Sequence, residues 1–263
     1  MGWLLIAVGL AWPPVHLPAQ GAPAPLAYRL PELVCERFSV SVHTSIQSTL
    51  GRQGRAEQVR WLGTLVVTAT DSSGVMAVEA WFDSLTAVRH TPEATLRPDP
   101  DGLIGGRFAG TLTPAGRYSA RLQPFIPRGL AEVFDFRHVL EMLWPPLPPG
   151  PLAVGESWEG DEPWAVHRLS DSTVAAGVLE RYALTFAPRF SPTVLPDSLV
   201  AETTDTEDGV FTWQRDGGLW SWIRSIDSEV TVARDARQSL STRAHQRVEI
   251  QRIDGCKHSA REG

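Results

Sequence analysis

The chain has 263 residues, long enough to bury a sizeable core without help from a metal or a disulfide. Hydrophobic residues are 43% and charged residues 21%, which excludes a disordered or fibrous chain. The net charge is −6, Lys257 is the only lysine, and arginines such as Arg52, Arg55, Arg60, Arg107, Arg117 and Arg121 are scattered, so no basic stripe offers a surface to nucleic acid.

Trp3 to Trp12 is an apolar run, followed by a proline break and by Leu17-Pro18-Ala19. This reads as an export signal cleaved after Ala19, although no Lys or Arg precedes the run. The run is too short for a bilayer span, which needs about 20 apolar residues, and no later segment of the mature chain reaches that length. A periplasmic or secreted location follows. Residues 20–32 read as a flexible lead-in, 33–255 as one β-rich domain and 256–263 as a tail. The two cysteines, Cys35 and Cys256, flank the predicted strands. In an oxidising compartment they suggest one bridge, which in the chain-entropy model would close a loop of about 220 residues and add roughly 5 kcal/mol. Two separate thiols are the alternative.

Phe38, Val40, Val42, Thr44 and Ile46 alternate with polar residues, the period of a half-buried antiparallel strand. Val59–Thr70 and Val75–Leu85 follow, joined by the turn Asp71-Ser72-Ser73-Gly74. Of the two rows on the latter strand, Met76, Val78, Ala80 and Phe82 are apolar throughout and are expected inside. Gly105–Leu112 and Arg117–Leu122 extend the meander. Leu130, Val133, Phe134, Arg137, Leu140 and Trp144 then recur at three- and four-residue spacing, which predicts a helix over about 128–144 covering the open face of the sheet. The proline run Pro145–Pro151 ends it. Strands resume near 164–169, 173–187, 209–215, 219–233 and 239–253, with Asp216-Gly217-Gly218 as a hairpin turn. Phe190–Thr204 carries two prolines and reads as a long loop or a lid. The fold class is therefore mainly β: a curved antiparallel sheet or incomplete barrel with one main helix.

Residues 144–158 contain Leu147-Pro148, Pro151 and Val154-Gly155-Glu156-Ser157-Trp158. This pattern resembles a signature of uncharacterised bacterial exported β proteins, and Phe211 with Arg215-Asp216-Gly217-Gly218-Leu219 fits their later strand-turn-strand. Those proteins look like relatives of the periplasmic lipoprotein-carrier fold, an incomplete antiparallel barrel plugged by helices. The resemblance implies an apolar cavity able to hold an acyl chain, and no catalytic residue. The plain physical reading of the motif is a structural corner, with Gly155 supplying an unusual backbone conformation and Trp158 a large buried ring.

Eight tryptophans follow the signal, among them Trp213, Trp220 and Trp222 around one turn. Such rows pack as cross-strand pairs more often than they bind ligands. The acidic group Glu156, Glu159, Asp161 and Glu162 reads as a solvated loop rather than as paired glycosidase carboxylates. No two histidines have metal-site spacing, and no nucleophile elbow, phosphate loop or dinucleotide fingerprint is present. The sequence thus points to a non-catalytic exported protein without cofactor or metal. Its expected ligand is a lipid or another apolar small molecule, contacted by Phe134, Leu140, Trp144, Trp213 and Trp220. An envelope structural or protein-interaction module with a filled core is the alternative, and a carbohydrate-binding protein the second.

Overall fold

The computed structural model describes residues 25–50, 53–72, 74–160, 163–175, 177–194, 200–235 and 238–253. The export-signal reading and Cys256 therefore lie outside the described residues. The strands are β1 (Glu36–Leu50), β2 (Gln53–Ser72), β3 (Val75–His90), β4 (Thr95–Leu96), β5 (Phe108–Leu112) and β6 (Tyr118–Leu122), then β7 (Ser157–Glu159), β8 (Trp164–Val174), β9 (Gly177–Val194), β10 (Val200–Gln214), β11 (Gly218–Asp235) and β12 (Gln238–Ile253). One short helix, α1 (Arg128–Ala131), lies between β6 and β7.

All these strands join one antiparallel sheet in the order β6-β5-β3-β2-β1-β12-β11-β10-β9-β8-β7, with β4 beside β3. Two meanders, one from each half of the chain, meet at the β1–β12 pair. Its register runs from Arg37↔Ile253 to Leu50↔Leu240 without a shift. The edges β6 and β7 lie at opposite ends of the order, so the sheet is open. Residues as far apart in it as Phe108 and Leu112 of β5 and Val166 of β8 belong to one buried cluster. Both wings must therefore curl toward a common interior.

Period-two patterning sets which face points there. Phe38, Val40 and Val42 of β1 are buried, as are Val248 and Ile250 of β12 opposite them. On β3 the expected row Met76, Val78, Ala80 and Phe82 is inside. Trp81, on the other face, carries the Arg107 guanidinium 3.6 Å above its ring.

The connection from β6 to β7 fills the interior, but not as the predicted helix over 128–144. Only α1 is α-helical, followed by a 3₁₀ turn at Phe136–His138. Leu130, Val133, Phe136 and Val139 are all buried and recur every three residues. An α-helix at 3.6 residues per turn would carry that row off one face, whereas a 3₁₀ turn repeats every three. The backbone follows suit: Val133 N–H donates to Leu130 O, Val139 to Phe136, Glu141 to His138 and Leu143 to Leu140, each three residues back. The Asp135 side chain accepts from Arg137 N–H and restarts the turn. The segment continues inward through Leu143, Trp144 and Leu147.

Two further expectations change. Pro25–Glu32 is no flexible lead-in. Tyr28 is a core residue whose ring packs 5.3 Å from Trp144 and 5.1 Å from Trp213, and its hydroxyl donates to Pro145 O at 3.1 Å. Nor is Phe190–Thr204 a lid: β9 extends to Val194 and β10 begins at Val200, with Ser191 opposite Thr203. Prolines are tolerated where a strand's N–H is not needed by the ladder.

Close packing makes some glycines obligatory. A Cβ at Gly209 on β10 would meet the Trp222 ring at 2.4 Å and Ile223 O at 2.5 Å, while one at Gly54 on β2 meets nothing within 4 Å. Gly209→Ala is expected to lower unfolding free energy by about 1–3 kcal/mol through overpacking, while Gly54→Ala leaves it unchanged or slightly higher. Urea denaturation of both variants checks this. Equal midpoints would show that Trp222 moves aside freely.

Candidate ligand-binding face

The five aromatic and aliphatic residues singled out from the sequence do not line one cavity. Leu140, Trp144 and Trp213 are buried in the core. Phe134 is half-buried against Trp61 (5.3 Å between ring centroids) and Phe136 (5.2 Å). A bulge pairs Thr212 with Ser221 but Trp213 with Leu219, leaving Trp220 between them. Trp220 is half-buried there and does not repeat the buried position of Trp222. Tyr28, Trp144, Trp213 and the 123–147 segment occupy the space a half-barrel cavity would need. The sequence could not reveal this, because a residue that lines a cavity and one that fills it share the same apolar pattern.

What remains open is the far half of the inner face. The central strands run on past the plugged core. β1 alternates buried and half-buried only as far as Thr44, and six more residues, about 20 Å of strand, carry it to an exposed end at Leu50. The registers place inner-face residues in rows. Ile46, Ala244, Ser228 and Asp205 form one, and Ser48, Thr242, Val230 and Thr203 the next. The last is Leu50, Leu240, Val232 and Ala201, aliphatic across four strands. Leu50 is 61% and Leu240 39% exposed.

A polar belt separates this face from the core. Glu207, with 2% of its side chain exposed, receives Arg224 Nη2 at 2.9 Å and Arg189 Nη2 at 3.1 Å. Gln246 donates to Thr44 Oγ1 at 3.2 Å, and Glu57 accepts from Arg89 Nε at 2.9 Å. Each buried charge is met by an opposite one, as burial demands.

A smaller charged cleft of about 160 Å³ lies at the plugged end, lined by Arg29, Glu32, Glu180, Trp213, Arg215 and Asp216. Glu180 accepts from Tyr182 Oη at 2.7 Å and from Arg215 Nη2 at 2.6 Å. Arg168 stands 4.7 Å above the Tyr182 ring, which stacks on Phe211. Burial pushes the Glu180 carboxyl up, but the Tyr182 and Arg215 hydrogen bonds and the Arg168 charge outweigh it, and the net shift is down. At Glu32 burial wins over the attraction of Arg29 and Arg252, and its carboxyl is held above the usual range. One Glu32 oxygen is buried without a hydrogen-bond partner. No sequence signal marked this cleft, since its groups come from three separate segments.

The Val154–Trp158 motif is a corner. Gly155 adopts φ +87°, the Glu156 side chain accepts Ala153 N–H at 2.7 Å, and backbone bonds tie Gly155 and Glu156 to Arg168. Ser157 Oγ meets His167 Nδ1 at 2.9 Å, and Trp158 packs on Trp164 with ring centroids 4.6 Å apart. Of the acidic group, Asp161 and Glu162 lie outside the described residues. Among the described residues no helix is long and apolar enough to cross a membrane, and no three His, Cys, Asp or Glu converge as metal ligands.

No family model matches the chain, and no curated protein matches it. Among solved structures, the beta domain of the Bordetella autotransporter BrkA aligns with 84% of this chain and 99% of its own, at 11% identity and a TM-score of 0.24. A likeness that low decides neither fold nor function, which rest here on the chain's own geometry.

The two carboxyls of the charged cleft make opposite predictions. Glu32 has a raised folded-state pKa, so its contribution is present below the unfolded value and lost as pH rises through the folded one. Glu32→Gln is therefore expected to raise Tm near pH 7 and to leave it unchanged at about pH 4. Glu180 has a lowered one, so its contribution is present at neutral pH and lost as pH falls. Glu180→Gln is expected to lower Tm at neutral pH, with the difference shrinking in acid. Thermal melts of both variants across pH check the signs, and parallel pH profiles would contradict them.

Proposed function

We propose that this is an exported, non-catalytic protein that binds an apolar ligand, a lipid chain, along the unplugged inner face of its sheet. One observation carries the reading: the row Leu50–Leu240–Val232–Ala201 places aliphatic side chains on the inner face beyond the polar belt, with Leu50 and Leu240 exposed. The adjacent outer-face row is polar, with Thr49, Ser241, Thr231 and Glu202 in register. A sheet end that is apolar on one side only favours a ligand laid on that side. The same reading includes a Cys35–Cys256 bridge. No free cysteine occurs among the described residues; in sequence Cys35 comes two residues before Arg37 and Cys256 three residues after Ile253, and Arg37 and Ile253 pair across β1 and β12. Peptide mapping without reductant should recover them in one linked species.

A second reading, an envelope interaction module with a filled core, is favoured by a separate feature. Beside the edge strand β6, Leu122 is 56% and Phe125 78% exposed. An unpaired strand edge with apolar neighbours suits an added strand from a protein partner.

Native mass spectrometry of the protein after periplasmic expression, with organic extraction of the same sample, separates the two. A co-purifying lipid mass that extraction removes is the expected result. Burying a Leu or Val side chain is worth about 1.5–3 kcal/mol, so Val232→Asp or Leu240→Asp should cut lipid occupancy about tenfold or more. Trp213→Ala should change stability instead. A clean apo mass that persists after incubation with membrane lipids would overturn the lipid reading in favour of a protein partner.

A further inference from the structure

The outer face of β1, β2 and β3 holds a pocket that neither reading uses. Ser41, His43, Arg60, Leu62, Thr86 and Arg97 line it, in a volume of about 430 Å³. Arg60 faces His43 across β2–β1, and Arg247 faces His43 from β12 on the other side. Short β4 pairs with the end of β3 and delivers Arg97 to the pocket wall. Two guanidinium groups, Arg60 and Arg97, thus line the pocket with one imidazole, on a chain whose net charge is −6.

A carboxylate neutralises Arg247 but, among the described residues, none pairs with Arg60 or Arg97. Glu249, in the neighbouring row, is engaged by Arg247 at 2.7 Å. Asp227, in the row beyond His43 on the other side, is held by His245 at 2.9 Å. Asp208, in the row of His43 itself, lies three strands away on β10. Among the described residues neither Arg60 nor Arg97 has an ion-pair partner. His43 Nε2 is buried and has no hydrogen-bond partner. Burial, and then the charges of Arg60 and His245, hold the His43 pKa below its usual value, so the ring is neutral at neutral pH and can present an N–H.

We infer that this pocket binds a tetrahedral anion, a phosphate group, between Arg60, Arg97 and His43. Guanidinium forks match phosphate oxygens in pairs, the Ser41 hydroxyl supplies a further donor, and the His43 ring forms the wall between them. The site lies on the face opposite the aliphatic row, so it stands or falls independently of the lipid reading.

Titration calorimetry of the whole protein with inorganic phosphate at low salt tests it, alongside sedimentation with phosphatidylglycerol and phosphatidylcholine vesicles. Saturable phosphate binding is expected. Arg60→Gln with Arg97→Gln should weaken it about tenfold or more, His43→Gln severalfold, and Arg121→Gln on β6 not at all. If phosphatidylglycerol vesicles bind, phosphatidylcholine vesicles do not, and the double variant abolishes the difference, the phosphate is that of a lipid headgroup. If phosphate alone binds, the ligand is a soluble phosphate compound. No saturable binding of either up to about 10 mM, or equal losses in the double variant and in Arg121→Gln, would overturn the site.

Discussion

The pairing of β1 with β12 holds the molecule together. These strands come from opposite ends of the described chain, yet they lie side by side at the centre of the sheet over fourteen residue pairs. Each half of the protein is a meander that could form from local hairpins alone. Only this pair joins them, and only when it forms do the wings share one interior. Its buried side chains, Phe38, Val40 and Val42 against Val248 and Ile250, mark the middle of the core. Contacts of such long sequence separation carry a large loop-closure cost. A bridge near the foot of the same pair would therefore act where the chain has most to gain.

With the two halves joined, a curved sheet has one concave face and two ways to satisfy it. At one end the chain does so itself, by folding the segment between its edge strands inward as a series of tight turns. At the other end the strands outrun that segment. The polar belt of Glu207, Arg224, Arg189, Thr44 and Gln246 marks the frontier, and beyond it the inner face is clothed in small, hydroxyl and aliphatic side chains. That division assigns stability to the plugged end and, on the proposed reading, binding to the open end.

Much of this architecture was legible in the sequence, because an antiparallel strand with one wet face writes its geometry as a period of two. The strands at 38–46, 59–70, 75–85 and 239–253 and the inner row of β3 could be read that way. The plug was misread for a physical reason. Buried residues at 130, 133, 136 and 139 have a spacing that fits a loose helical stripe as readily as a 3₁₀ repeat, and only the hydrogen bonds distinguish them. Pro192 similarly disguised the outer part of β9, since a chain whose N–H groups point to solvent tolerates it. The candidate site was least legible. Tryptophans drew attention by their size, yet size suits a filled core best. The open aliphatic row uses ordinary Leu, Val and Ala residues, whose meaning depends on what fails to cover them.

The edges of the sheet carry a last consequence. The long strands are all interior, whereas the edges β6 and β7 are five and three residues long. A sheet this broad, left with long bare margins, would template the addition of further chains and head toward fibrils. The bare stretch of β9 beyond its pairing with β8 carries Pro188 and Pro192, which lack the N–H an added strand would need.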